Sequence, residues 1–284
     1  MRCAANVGAI LGEGPCWVVR EQSLFWTDIN QPCLFRWNEA EGVTRLPMTE
    51  RICSIVPRAS GGYFGAGYNG LLAIDAKFVA TPVGNPEADL TDNRFNDGKV
   101  DRAGRFWAGT MDSKEVHPSG TLYRVDFDLS WNAIDTGYRV TNGPAFSVDG
   151  RTMYHTDSAM QKVYRFAIDA EGNAAERETF LQFSHHDGYP DGMTIDAEDC
   201  LWIAFWDGWC IRRFSPDGKL LAEIPVPVAR PTSVAFGGAQ LDQIFISSAS
   251  RDLTEAELAG QANAGGLFTV RPGVRGVAEL PFAG

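Results

Sequence analysis

The sequence predicts an all-β fold, a six-bladed β-propeller formed by residues 1–284 as one unit. Two observations carry that expectation. Helical periodicity is scarce, and one grammar of short apolar runs and polar turns returns about every forty-five residues. The clearest copy opens at Glu13-Gly14-Pro15 and runs on through Cys16-Trp17-Val18. It resumes as Ser23-Leu24-Phe25-Trp26-Thr27-Asp28 and again as Leu34-Phe35-Arg36-Trp37. Such runs, bounded by Gly, Asp and Asn, are antiparallel strands.

Three further copies are well marked. They open at Asn96-Asp97-Gly98, Asn142-Gly143-Pro144 and Asp191-Gly192, and weaker ones begin near Ile52 and Pro231. A period of this length built from strands alone makes each copy one four-stranded blade. A β-sandwich would not repeat the same turns at nearly constant spacing. The segment around Asn6 to Ile10 is expected to add a strand to the last blade, which closes the ring and removes exposed edges.

With 44% hydrophobic residues the chain can fill a sizeable core, and its 30 Gly and 15 Pro are spread as turn punctuation. The formal net charge of -11 repels phosphate backbones and anionic lipid, so nucleic acid and membrane partners are not expected. No signal peptide or membrane span is apparent, and a cytoplasmic location is expected. The six cysteines form no CxxC pair; Cys16, Cys53 and Cys200 adjoin apolar runs and read as small core hydrophobes in a reducing compartment.

Propeller topology says which residues can meet. The first strand of each blade lines the central channel, and its opening residue lies at one rim. Glu13, Asn96, Asn142 and Asp191 occupy that opening register in four blades. Two carboxylates and two amides with no His or Cys among them suit a hard cation such as calcium, magnesium or manganese. Packing the carboxylates at one axis without a cation is electrostatically costly.

Other motifs return little. Gly65-Ala66-Gly67-Tyr68-Asn69-Gly70 satisfies GxGxxG, but a strand-like run follows it where a dinucleotide site needs a helix, so Asn69-Gly70 reads as a hairpin turn. There is no GxSxG elbow, HExxH or Walker A loop. Of the four histidines, His155 falls in a strand and reads as a hydrogen-bonded core or channel residue, whereas His185 and His186 precede Asp191 and are candidates for the rim.

Several segments together resemble the regucalcin/gluconolactonase family, which includes senescence marker protein and luciferin-regenerating enzyme. They are Leu11-Gly12-Glu13-Gly14-Pro15, Asn93-Arg94-Phe95-Asn96-Asp97-Gly98-Lys99-Val100-Asp101, Trp107-Ala108-Gly109-Thr110-Met111, Asn142-Gly143-Pro144 and Pro190-Asp191-Gly192-Met193-Thr194. The resemblance implies one divalent metal ion (calcium, zinc, magnesium, manganese or iron(II)) held by Glu13, Asn142 and Asp191. It implies a sugar lactone as substrate, contacted by Arg94 and Asn96, and Asp191 as general base. Sugar-binding relatives carry an acidic residue after Gly-Thr-Met, and this sequence has Lys114 at that position. Lys114 is therefore expected to reach the pocket and shift the preference among lactones. The turn carrying Trp206 returns to the same rim, and its indole is expected to cover a sugar ring.

The expected activity is hydrolysis of a pentono- or hexonolactone to its aldonic acid. Two alternatives stand beside it: a calcium-binding regulatory protein without physiological catalysis, and a promiscuous esterase or organophosphate hydrolase on the same scaffold.

Overall fold

Within each repeat the first three strands are buried on both faces, and the fourth is polar and largely exposed. The first blade shows the gradient: Gly12–Val18, Ser23–Asp28 and Cys33–Asn38 are mostly buried, while Gly42–Pro47 faces solvent. A strand that is apolar on both faces must be covered on both, and blades stacked face to face around an axis supply that cover. The computed structural model describes residues 1–284 and contains six four-stranded antiparallel sheets in a ring.

Blades 1 to 5 span residues 12–47, 52–84, 93–138, 141–182 and 189–225. Blade 6 combines residues 231–270 with the strand Arg2–Ala5, which pairs with Leu267–Val270 as its outermost member. The closing strand therefore lies earlier than expected. Residues 6–10 form the crossing that follows it: the Ala9 N–H donates to the Gly265 carbonyl at 2.9 Å, outside the strand ladders. Inner strands begin at Ile52 and Pro231 in the two weakly marked blades. The GxGxxG segment is a hairpin in which Gly67 pairs with Gly70.

The end of the chain crosses the face opposite the opening residues. Phe282 is fully buried there, with ring centroids 4.5 Å from Phe64 of blade 2 and 6.3 Å from Phe106 of blade 3. Backbone hydrogen bonds hold it: Phe282 N–H to the Pro57 carbonyl and Ala59 N–H to the Phe282 carbonyl, both 2.8 Å, and Ala283 N–H to the Gly104 carbonyl at 2.9 Å.

His155, on the second strand of blade 4, is fully buried, but neither ring nitrogen has a hydrogen-bond partner and Tyr138 stands edge-on at 4.8 Å. It is a core residue without the hydrogen bonds expected of it. Burial, helped by the charge of Arg177, pushes its pKa down from 6.5 to about 3. The native protein keeps the ring neutral, whereas the unfolded chain takes up a proton below its ordinary pKa. Stability present at neutral pH is thus lost as pH falls from about 6.5 toward 3. Between about pH 7.5 and pH 5, denaturant titrations should show wild type losing about 2 kcal/mol more than His155→Leu. Equal losses would show that the ring does not titrate this way.

Candidate functional site

One irregularity recurs at the opening residue of every inner strand. The ladder slips between Glu13 and Cys16, Phe95 and Gly98, Asn142 and Ala145, and Pro190 and Met193, with smaller slips after Ile52 and Pro231. A bulge re-aims the side chain beside it. At Gly14 and Gly143 the backbone is left-handed, with φ of 55° and 80°, a conformation that favours glycine. These kinks turn the openers toward the axis. Glu13, Asn96, Asn142 and Asp191 are all buried and all line one cavity of about 420 Å³, together with Arg94 and Trp206.

A directed chain of hydrogen bonds fixes the amides. Arg94 Nη1 donates to Asn96 Oδ1 at 2.7 Å, Asn96 Nδ2 to Asn142 Oδ1 at 3.0 Å, and Asn142 Nδ2 to Ser158 Oγ at 2.8 Å. Ser158 Oγ then donates to the carbonyl of Pro190 at 2.6 Å, beside Asp191. The chain ties blades 3, 4 and 5 and holds Asn142 Oδ1 on the side of Asn96. That oxygen keeps a second lone pair for another partner.

The carboxylates lack such compensation. Glu13 Oε2 accepts only the N–H of the adjacent Gly14, at 3.0 Å, while Asp191 Oδ1 is buried with no hydrogen-bond partner at all. Burial, and then the charge of Asp97, push the Glu13 pKa up to about 8. Burial, and then the charges of Glu13 and Asp97, raise Asp191 well above the ordinary carboxylate range. Asp97 itself is pushed up by burial to about 6. Its oxygens accept the N–H groups of Gly98 and Gly143, at 2.8 and 2.9 Å, so it serves the bulges of blades 3 and 4.

No three His, Cys, Asp or Glu side chains form a metal set by themselves. Two poorly compensated carboxylates, one with an orphaned oxygen, and an amide oxygen are the oxygen donors here that could hold a hard divalent cation.

Lys114 is not brought into this cavity. Its side chain is 68% exposed, with Nζ 3.2 Å from Asp92 Oδ2, and Glu115 lines the cavity instead. The cause is Asp112, whose carboxylate gathers the N–H groups of Lys114, Val116 and His117 at 3.0, 3.1 and 2.8 Å. This closes the turn with Glu115 left-handed, at φ 60°, so residue 115 rather than 114 faces inward. His185 and His186 are exposed and do not line the cavity.

Trp206 ends the strand Leu201–Trp206, and the Arg230 guanidinium stacks on its ring at 4.8 Å. Arg230, Arg251, Glu115 and Ser158 are site residues that sequence reasoning missed. Only Glu115 had a signal, its place one residue beyond Lys114.

Fold and site define a propeller with one acid-lined mouth, in which amides and a guanidinium are held ready around two buried carboxylates. The chain belongs to the family described as SMP-30/Gluconolactonase/LRE-like region, whose model matches residues 11–250. It is 36% identical over 292 residues to a 6-deoxy-6-sulfogluconolactonase of Pseudomonas putida, covering 100% of this chain and 99% of the relative. It is 34% identical over 252 residues to a pentonolactonase of Haloferax volcanii, covering 85% and 82%. The crystal structure of a calcium-binding regucalcin from Agrobacterium tumefaciens superposes with a TM-score of 0.95 at 27% identity, covering 99% of this chain and 96% of that one.

Proposed function

We propose that this mouth hydrolyses a five- or six-carbon aldonolactone with the help of one divalent cation held by Glu13, Asn142 and Asp191. Family membership and the names of the lactonase relatives support a sugar lactone as substrate. The observation that carries the cation is the orphaned, buried Asp191 Oδ1 beside a second buried carboxylate.

When bound, such a cation polarises the lactone carbonyl and offsets charge on its oxygen. Asp191 takes a proton from water as the water oxygen adds to the carbonyl carbon. The tetrahedral intermediate collapses with cleavage of the ring C–O bond, and the proton passes to the departing alkoxide, leaving the open hydroxy acid. Arg94 and Asn96 are held by the chain of hydrogen bonds described above. The remaining guanidinium N–H groups orient ring hydroxyls or the carbonyl oxygen, and Trp206 adds apolar surface. No covalent nucleophile is needed. All six cysteines are free and five are buried, which suits a cytoplasmic protein.

The test is lactone hydrolysis, read as acid release, on pentono- and hexonolactones before and after chelation. We expect turnover that chelation abolishes and one divalent ion restores. Turnover untouched by thorough chelation would remove the cation from the reaction. No turnover in either sample would favour a calcium-binding regulatory role.

A further inference from the structure

Glu115 and Arg251 come from opposite sides of the ring. Glu115 sits in the turn after the second strand of blade 3, Phe106–Asp112. Arg251 follows the second strand of blade 6, Gln243–Ser248. In a closed ring of six these blades face each other across the axis. Both side chains line the cavity, and Arg251 Nη1 donates to Glu115 Oε1 at 3.2 Å. The pair therefore spans the mouth.

Both ends are braced. The Asp112 carboxylate fixes the turn of Glu115. The Arg251 N–H donates to the Ile10 carbonyl at 2.8 Å, and its own carbonyl accepts from Arg230 Nη1. Arg230 is held in turn by Asp207, with Nε 2.7 Å from Oδ1, and by the Trp206 ring. The pair itself is lightly held, since the Glu115 and Arg251 side chains keep 41% and 30% of their surface exposed. An ion pair this wet contributes little stability and opens at small cost. It is a firm frame with a soft latch.

We propose that the Glu115–Arg251 pair limits the size of lactone that the mouth admits. The inference rests on the lactonase reading above. The cavity of about 420 Å³ that the pair lines has room for a single polyhydroxylated ring, one hydroxyl of which can donate to Glu115 while accepting from Arg251. A lactone bearing a second sugar ring has to displace the pair, losing the contact without replacing it.

The experiment compares kcat/KM for gluconolactone and for the disaccharide-derived cellobionolactone in wild type, Glu115→Ala, Arg251→Ala and the double variant. Each single variant should raise the cellobiono/glucono ratio about two- to fivefold, the factor that opening an exposed ion pair is worth. The double variant should match the singles, because a latch is opened by removing either half. Glu115→Gln, which keeps the shape and removes the charge, should move the ratio the same way. An unchanged ratio in either single variant overturns the latch. So does a double-variant ratio equal to the product of the two single effects, which would mean independent contacts with substrate. Should wild type hydrolyse neither these two nor any pentonolactone, the lactonase reading falls. The latch is then judged by the same ratio in calorimetric Kd values for gluconate and cellobionate.

Discussion

Asp191→Asn should lower kcat/KM for an aldonolactone by roughly 10³-fold, within the range that a positioned general base contributes. The substitution keeps the shape of the side chain and removes one negative charge from a site already crowded by Glu13 and Asp97. The chelated variant should therefore melt no lower than chelated wild type, because a poorly compensated buried charge has gone. Glu13→Gln and Asn142→Ala should leave a folded propeller that binds calcium or manganese more weakly. Titrating metal into each folded variant checks the donor set. Wild-type affinity in two of the three would overturn it, and Asp191→Asn with more than a tenth of wild-type kcat/KM would remove Asp191 as the base.

Phe282→Ala should cost about 3–5 kcal/mol in denaturant unfolding, the usual loss when a fully buried phenylalanine is truncated. Its ring fills the space between Phe64 and Phe106, on the face away from Glu13, Asn142 and Asp191. Kinetic constants should accordingly stay within about twofold, a difference under roughly half a kcal/mol. A loss below about 1 kcal/mol would mean that blades 2 and 3 close over the gap without it.

The two predictions draw on parts of the molecule that were unequally legible. The blades could be read because every copy repeats one grammar of opener, buried run, turn and buried run. The openers could be read because a polar residue just before Gly or Asp-Gly in matched register has one place to go in a propeller. Residue 115 could not, because its direction depends on which N–H groups the Asp112 carboxylate gathers, a matter of hydrogen bonding and not of spacing. Arg230 and Arg251 escaped because they belong to the weakly marked sixth copy, where no motif flags the turns that carry them. Phe282 escaped because its segment follows no repeat. The closing strand was placed a few residues late: Val7, Ala9 and Ile10 offer as plausible an apolar run as Cys3-Ala4-Ala5, and only pairing with Leu267–Val270 separates them.

That pairing has a consequence in time. Blade 6 joins Cys3 to Phe268 and Arg2 to Thr269, so the strand Arg2–Ala5 leaves the ribosome long before its partner Leu267–Val270. At ordinary rates of synthesis the wait is on the order of tens of seconds, during which the edge of Arg2–Ala5 has no partner within the chain. Contacts so distant in sequence also make closure a slow step once all strands are present. After closure the same ladder is a clasp, since it ties the segment leading into blade 1 to the third strand of blade 6.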